Sequence, residues 1–327
     1  MIDLHCHLLP GIDDGPTSLQ ESLELCRIAV ADGITHAVVT PHIHPGRWGN
    51  TRASIQRDCA ALQCELDALG IALQLGFAAE VRLTDELMGQ IEREEIPYYG
   101  EVDGYQVMLL EFPHGHVIPG SEQLVNWLMR QQIRPLIAHP ERNRQVMKNP
   151  ALLQPFIEAG CWLQITGGAV TGHFGERAQA VARQLLEVDQ VTAVASDGHN
   201  SKARPPALQQ AYASIASDYG EGRAQRLMNE TPATIAAGQF DSKDDKALST
   251  GTRYTASPGR RPWQKSISGG RGLSPTCPKC GCAGNGAASG CRRLSRCSRA
   301  TCLSSVTLLW ITPPRCVPPA VQWAWCA

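Results

Sequence analysis

The chain has 327 residues, of which 43% are hydrophobic, so it can form one large or two ordinary domains with a sizeable core. Its net charge of -1 hides an asymmetry, because residues 1–240 carry 17 Lys and Arg against 28 Asp and Glu, whereas residues 241–327 carry 13 against 3. No apolar run reaches the roughly 18 residues of a membrane span and no secretory signal is apparent, so we expect a cytoplasmic protein without membrane insertion.

Apolar, strand-like segments alternate with amphipathic segments of helical length from residue 1 to about residue 220. The first helix is predicted to begin at Ser18, because Glu21 three residues later completes a capping-box pattern. Apolar residues from Leu19 to Val30 then repeat at helical spacing on one face. Seven strands are predicted, at 1–5, 36–40, 72–80, 106–112, 134–139, 161–166 and 191–196. Seven strands, each followed by a helix, favour an α/β fold whose parallel sheet closes into a barrel.

The alternation stops near residue 240, where we place a domain boundary. The segment that follows is rich in Gly, Ser, Thr and Arg without an apolar period, as in disordered chains. Further on, "CPKCGC" at 277–282 offers three thiolates to a zinc ion, but the later cysteines form no second pair with matching spacing. We expect residues 241–327 to be a low-complexity, cysteine-rich extension that is disordered or aberrant rather than a zinc module.

Six of the predicted strands deliver metal-binding side chains at their carboxyl ends, where barrels of this type hold their active sites. In chain order these side chains are His5 with His7, His42 with His44, Glu80, Glu111, His139, and Asp197 with His199. Each of them alone has a structural alternative, such as a histidine bonded to a backbone carbonyl or a solvated carboxylate. Because they coincide at one end of the predicted barrel, we favour a metal site.

Nine residues are candidate ligands, a number that suits two or three ions better than one. They are His5, His7, Asp14, His42, Glu80, Glu111, His139, Asp197 and His199. Imidazole and carboxylate without thiolate favour Mn, Fe or Zn, and the four carboxylates favour Mn or Fe. Three divalent ions, four carboxylates and a bridging hydroxide leave a net charge of about +1, so the predicted guest is phosphate.

Two arginines follow candidate ligands closely in the sequence. Arg142 comes three residues after His139, and Arg204 comes five residues after His199. Guanidinium groups match phosphate oxygens with paired hydrogen bonds. The alternative for each arginine is a surface salt bridge, but proximity to the ligands favours phosphate binding.

Several motifs together resemble a known family. "DLHCHLLPGIDDGP", "TPHIHPG", "LLEFP", "AHPERN" and "SDGHN...RPP" are similar to the PHP (polymerase and histidinol phosphatase) superfamily, and within it to capsule-associated, manganese-dependent tyrosine-protein phosphatases. The resemblance covers residues 1 to about 238. It implies a distorted (β/α)7 TIM-like barrel, a trinuclear site on the nine candidate ligands, and phosphate binding by Arg142 and Arg204. Residues 241–327 have no counterpart in the family, and Trp48 has no assigned role.

The resemblance also implies a chemistry, namely metal-assisted hydrolysis of a phosphomonoester. Mn²⁺ is the expected cofactor, in two or three ions, with Fe, Co or Zn as alternatives. The CX5R loop of cysteine-dependent tyrosine phosphatases is absent from residues 1–240. Phenolate, with a pKa of about 10, leaves with little acid assistance. His44 is a candidate to protonate it, and the alternative is a supporting or surface histidine.

The substrate implied by the family is a phosphotyrosine protein, an autophosphorylating kinase of capsule or exopolysaccharide synthesis. One alternative is a small-molecule phosphatase that acts on histidinol phosphate or a nucleotide. Another is a non-catalytic partner of a polymerase or transport complex, against which the complete ligand set and both arginines argue. We expect no nucleic-acid partner.

Overall fold

The computed structural model describes residues 1–240, which form a mixed α/β fold. The strands are β1 (Ile2–Cys6), β2 (His36–Val39), β3 (His42–His44), β4 (Trp48–Gly49), β5 (Gln74–Phe77), β6 (Glu80–Arg82), β7 (Glu101–Val102), β8 (Tyr105–Glu111), β9 (Ile133–Ala138), β10 (Trp162–Thr166) and β11 (Ala193–Ala195). The helices are α1 (Leu19–Ala31), α2 (Arg52–Ala68), α3 (Leu87–Glu92), α4 (Ser121–Arg130), α5 (Gln154–Glu158), α6 (Gly167–Val170), α7 (Glu176–Glu187), α8 (Gln209–Tyr219), α9 (Glu221–Gln225) and α10 (Thr231–Ile235). Shorter 3-10 turns lie at Pro140–Arg142 and Pro150–Leu153, and a π-helical segment lies at Arg226–Glu230.

All seven predicted strands are present, and the third divides into β5 and β6. The short strands β3, β4 and β7 were not predicted, because two or three residues do not establish a period. β3 and β4 form an antiparallel hairpin around Gly46, whose φ of 77° lies in the left-handed region that glycine adopts readily. β7 pairs antiparallel with β8.

The strands pair mainly in parallel, as the intervening helices require. One sheet has the order β1-β2-β5, and the other has the order β11-β10-β9-β8-β6-β3-β4. An isolated parallel bridge between Cys6 and Gly198 joins β1 to the segment after β11. There the His7 amide donates to the Gly198 carbonyl at 2.8 Å, and the Asp197 amide donates to the His5 carbonyl at 2.7 Å. The carboxyl ends of β1 and β11 are thereby adjacent.

The central strands of the parallel pairs, such as β8 and β10, are buried on both faces, as is usual for parallel sheets covered by helices. Alternate residues such as Leu4, Val38 and Leu136 form one buried apolar cluster, in which the Tyr99 hydroxyl donates to the Leu4 carbonyl at 2.6 Å. The remaining strand residues pack against the helices in a second, larger cluster. This packing fixes the strands on which the candidate ligands lie.

Helix α1 begins as predicted, since the Ser18 hydroxyl accepts from the Glu21 amide at 3.3 Å. The Glu21 carboxylate reaches back over the start of the helix, where it accepts from the amide and hydroxyl of Thr17. The predicted apolar face is wrong at its first position, because the side chain of Leu19 is 40% exposed. Burial begins at Ser22 and Leu23.

The described part of the chain closes against β5. The side chain of Gln239 accepts from the Phe77 amide at 2.9 Å and donates to the Tyr99 carbonyl at 2.6 Å. Among residues 1–240, the helices are all too short or too polar to cross a bilayer. The predicted extension, with its "CPKCGC" motif at 277–282, lies outside the described residues.

Candidate metal centre

The carboxyl ends of the strands gather the candidate ligands into three adjoining groups. In each group the ligand atoms lie within 4.8 Å of one another: His7, Asp14, His42 and His199; His5, His7, Glu80 and Asp197; and His42, Glu80 and Glu111. His7, His42 and Glu80 each belong to two groups, so the groups are contiguous. His139 lies beside them, with its Nε2 2.7 Å from Oε1 of Glu80. All nine candidate ligands therefore lie in one cluster at the carboxyl ends of the strands.

Backbone geometry at the strand ends turns two of these side chains toward the cluster. His139 follows β9 with a φ of 33°, and Asp197 follows β11 with a φ of 53°. Non-glycine residues rarely adopt these left-handed values, each of which costs about 1–3 kcal/mol. Buried Asp3 holds the second turn, since its carboxylate accepts from the Ser196 amide at 2.9 Å and from the Ser196 hydroxyl at 2.5 Å.

The first two histidines are oriented by acceptors on the far side of their rings. Nδ1 of His5 lies 2.8 Å from Oε1 of Gln164, and Nδ1 of His7 lies 2.7 Å from Oδ2 of Asp13. Because both partners are acceptors, each Nδ1 donates its proton to that partner and each Nε2 faces the cluster. The two Nε2 atoms are 3.3 Å apart. Two imidazole nitrogens at this distance need a proton or a metal cation between them, because their lone pairs would otherwise repel each other.

The pKa values of the same histidines indicate the same need for positive charge. Burial lowers the pKa of His7, but the carboxylates of Asp13 and Glu80 outweigh burial and raise this pKa well above its usual range. Burial likewise lowers the pKa of His5, and Glu80 and Asp197 more than reverse the effect. A metal ion is one way to supply that charge.

His139 and His199 are neutral at pH 7. Burial lowers the pKa of each to about 4, against the opposing effect of nearby carboxylates. In His199, Nδ1 lies 2.9 Å from the Asp197 carbonyl, which places the proton on Nδ1 and leaves Nε2 free to bind a cation.

The carboxylates of Glu111 and Asp197 are buried and incompletely paired, whereas Asp14 is exposed. Burial and the charge of Glu80 raise the pKa of Glu111 to about 7. Burial acts to raise the pKa of Asp197 too, but His5 and Arg204 hold it well below its usual range. Oδ1 of Asp197 and Oε2 of Glu111 are buried without a hydrogen-bond partner. Such unpaired oxygens are expensive in a protein interior, and together with imidazole nitrogens they form a donor set that fits hard or borderline divalent cations.

Both predicted phosphate-binding arginines reach this cluster. Arg142 and Arg204 each donate to Oδ2 of Asp197, Arg204 at 2.5 Å. The loop that carries Arg204 is held by Asn200, whose side-chain oxygen accepts from the Ala203 amide at 2.7 Å and from the Arg204 amide at 3.1 Å. Two guanidinium groups thus converge at the edge of the candidate metal groups.

Several side chains that support the ligands were not predicted from the sequence. Arg82 lies 2.7 Å from Oε1 of Glu111, and its position two residues after Glu80 on β6 places both on one face of the strand, a signal that was available. Asp13 directly precedes the candidate ligand Asp14 and was not among the predicted site residues. Gln164 carried no local signal, since it lies in the middle of an apolar strand.

His44 lies outside the three groups. It ends β3, is partly buried, and has its ring centroid 6.0 Å from that of Trp48. Burial and the positive charge of Arg82 lower its pKa below the usual value.

Trp48, which had no predicted role, packs on a candidate ligand. Its ring stacks on the ring of His42 with an interplanar angle of 5° and a centroid distance of 4.6 Å, while the guanidinium of Arg47 lies 3.9 Å above the indole. The stack fixes the plane of the imidazole and hence the direction of its nitrogens.

We therefore expect Trp48→Ala to weaken Mn²⁺ binding by about tenfold, the usual effect of losing a group that orients a ligand. Trp48→Phe, which keeps a stacking ring, should retain most of the affinity. Calorimetric titration of the metal-free protein measures both constants. Equal affinities in the wild type and both variants would remove Trp48 from this role.

An α/β fold that gathers imidazole and carboxylate side chains at its strand ends defines a class, the metal-dependent hydrolases. Within that class, the chain belongs to the family described as capsular polysaccharide synthesis, CpsB/CapC, whose model matches residues 1–237. The resemblance predicted from the sequence motifs is confirmed at this level.

Named relatives agree with the family assignment. The tyrosine-protein phosphatase YwqE of Bacillus subtilis is 35% identical over 220 residues, which are 67% of this chain and 85% of the relative. The tyrosine-protein phosphatase CpsB of Streptococcus pneumoniae is 33% identical over 246 residues, 73% of this chain and 100% of the relative. A solved structure reported for these two proteins as "unique metal-dependent tyrosine phosphatases" aligns with a TM-score of 0.68 and 33% identity, covering 73% of this chain and 95% of the other.

Proposed function

We propose that this protein is a metal-dependent phosphomonoester hydrolase that removes phosphate from tyrosine side chains of proteins. The observation that carries the proposal is the set of three contiguous ligand groups with two arginines at their edge. The names of the relatives support the choice of phosphotyrosine. Wild-type protein should hydrolyse a phosphotyrosine peptide faster than histidinol phosphate, and the reverse preference would favour a small-molecule phosphatase.

We propose as metal ligands the nine residues His5, His7, Asp14, His42, Glu80, Glu111, His139, Asp197 and His199, and Mn²⁺ as the metal, in two or three ions. The four carboxylates among the ligands favour Mn²⁺ over softer metals. When bound, divalent ions supply Lewis-acid chemistry that stabilises charge on phosphoryl oxygens and makes water a stronger nucleophile. The protein contributes the fixed orientation of the ligands through Gln164, Asp13 and Trp48.

Arg142 and Arg204 bind the phosphate oxygens of the substrate in this proposal. Both guanidinium groups face one carboxylate oxygen of Asp197, and a guanidinium group has further N–H donors that can bind an incoming anion. As the leaving phenolate forms, these fixed charges stabilise the negative charge on the phosphoryl group.

Arg142→Ala should raise the inhibition constant of inorganic phosphate by about 10- to 100-fold, since hydrogen bonds to charged groups contribute about 1.5–3 kcal/mol each. Metal content should persist, because Arg142 is not a ligand. Arg142→Lys should be intermediate, as lysine lacks the planar pair of donors. Arg144→Ala, at an exposed position in the same turn, is the matched control. An unchanged phosphate constant in Arg142→Ala would exclude it from the site.

Proton donation by His44 to the leaving phenolate remains a prediction. Phenolate needs little assistance, and the need decreases further for more acidic phenols. His44→Ala should therefore slow hydrolysis of phosphotyrosine more than hydrolysis of 4-nitrophenyl phosphate. Equal effects on the two substrates would argue for the alternative of a supporting histidine.

We infer that the strands close into the distorted (β/α)7 TIM-like barrel that the sequence predicts. The bridge between Cys6 and Gly198 supports closure between β1 and β11, and the short link of residues 78–79 between β5 and β6 supports closure between the two sheets. We also place the catalytic domain at residues 1–240.

Truncation after residue 240 tests that boundary. The nine proposed ligands and both arginines precede it, so we expect residues 1–240 alone to retain metal content and kcat/KM for a phosphotyrosine peptide. Full-length protein purified in parallel is the control. Loss of folding in the truncated chain, monitored by circular dichroism, would show that residues 241–327 contribute to the domain.

The biological substrate that we propose is an autophosphorylated tyrosine kinase of capsule or exopolysaccharide synthesis, in keeping with the description of the family. We propose a cytoplasmic location as well. All five cysteines of the described residues are unpaired thiols, and four of them are buried, which suits a reducing compartment.

A further inference from the structure

Two cavities adjoin the candidate metal centre, and they differ in charge. One, of about 310 Å³, is lined by Arg204, Lys202, Phe174 and residues of α6 and α8, without any carboxylate. The other, of about 580 Å³, is lined by the carboxylates of Asp14, Glu21 and Glu24, and it shares Lys202 with the first. A phosphorylated substrate is an anion, so the first cavity is electrostatically the better match although it is smaller.

The first cavity, which we term the Phe174 cavity, is continuous with the predicted phosphate-binding groups. Arg204 lines it directly, and the Phe174 ring lies 4.4 Å from the guanidinium carbon of Arg142. A phosphoryl group held by the two arginines therefore has this cavity beside it. Its volume lies at the lower end of the range of small-ligand pockets, about 300 to 1,000 Å³.

The wall that carries Phe174 is tightly fixed. A Cβ atom at Gly168 would lie only 2.7 Å from Cε2 of Phe174, so the ring packs against bare backbone that only glycine provides. On the opposite side, Nε2 of His173 lies 2.6 Å from the Ala203 carbonyl and ties this wall to the loop that carries Arg204. An aromatic surface is thus held in a set position relative to the arginines.

We propose that the Phe174 cavity binds the aromatic ring of the substrate's phosphotyrosine, with Phe174 as the contacting side chain. The proposal rests on the proposed function and extends it to the basis of aryl specificity. Offset or edge-to-face contact between two aromatic rings adds to the burial of apolar surface, whereas an alkyl phosphate would leave the cavity unfilled. Lys202 at the cavity wall adds a positive charge for the anionic peptide.

The test measures binding without turnover. Benzylphosphonate places a phenyl ring one atom from phosphorus, as phosphotyrosine does, and methylphosphonate lacks the ring. Calorimetry on metal-loaded, full-length wild type should give tighter binding of benzylphosphonate. Phe174→Leu should reduce that preference by about tenfold, the effect expected for one aromatic contact in a pocket. Gln210→Trp, which places a bulky ring at the exposed edge of the cavity, should reduce it as well.

Two further measurements separate the possible failures. Phe240→Leu, a matched change beside His36 at the start of β2, should leave the preference intact. Affinity for inorganic phosphate reports on the arginines, and it should change little in Phe174→Leu. An unchanged benzyl preference in both cavity variants, or an equal loss of phosphate and benzylphosphonate affinity, would overturn the aryl assignment. Wild type that binds benzylphosphonate preferentially but hydrolyses no phosphotyrosine peptide would instead overturn the proposed function.

Discussion

Replacing Glu80 by glutamine is expected to reduce phosphotyrosine hydrolysis by roughly 1,000-fold or more and to lower the metal content of the protein. Glu80 belongs to two of the three ligand groups, and its carboxylate also faces His139. Glutamine has nearly the same shape but no negative charge, so it would bind a divalent ion much more weakly. Elemental analysis and kcat/KM, measured on the same preparation, check both effects.

Glu86→Gln is the matched control for this variant. Glu86 precedes α3, is exposed, and makes no side-chain capping bond. The metal content and activity of the Glu86→Gln protein should therefore equal those of the wild type. A Glu80→Gln protein that is folded, fully loaded with metal and active would remove Glu80 from the centre.

Removing the metal from the wild-type protein should have the second largest effect. Dialysis against a chelator is expected to abolish activity and to lower Tm, because ligands that bind only the folded state stabilise it by about 4 kcal/mol at 1,000 times their dissociation constant. The buried, unpaired oxygens of Asp197 and Glu111 lose their counter-charge at the same time. Differential scanning fluorimetry and a phosphotyrosine assay, with and without chelator, measure the two losses.

Adding Mn²⁺ back should restore both properties, and parallel additions of Mg²⁺ and Zn²⁺ rank the metals. The same treatment of Glu80→Gln should change Tm much less, since that variant has less metal to lose. Chelated wild-type protein with full activity would contradict the metal-dependent mechanism.

The sequence predicted most of the secondary structure, and its success has a physical basis. Strands buried on both faces appear as short, continuous apolar runs, and each of the seven runs corresponds to an observed strand. The short strand β3 was missed because "HIH" has no apolar run, although its first residue is a candidate ligand. Leu19 was misassigned because helical spacing does not show where the core begins.

The candidate ligands were also accessible to sequence reasoning, because parallel strands end at one side of the sheet. Some of their supports were not, because the contacts that identify them are not visible in any local sequence pattern. Gln164 contacts His5 across 159 positions, and no local pattern connects the two. Trp48 likewise has no sequence signature, as its stacking on His42 depends on the β3–β4 hairpin.

The measurement that bears most directly on the account is anomalous scattering at the Mn absorption edge from crystals of the full-length protein grown with Mn²⁺. We predict two or three adjoining peaks, each surrounded by side chains of one ligand group, with the Glu80 carboxylate, which has two oxygens, shared between neighbours. Ions bound elsewhere, while these side chains contact only one another, would contradict the assignment of the metal centre and the hydrolytic function that depends on it.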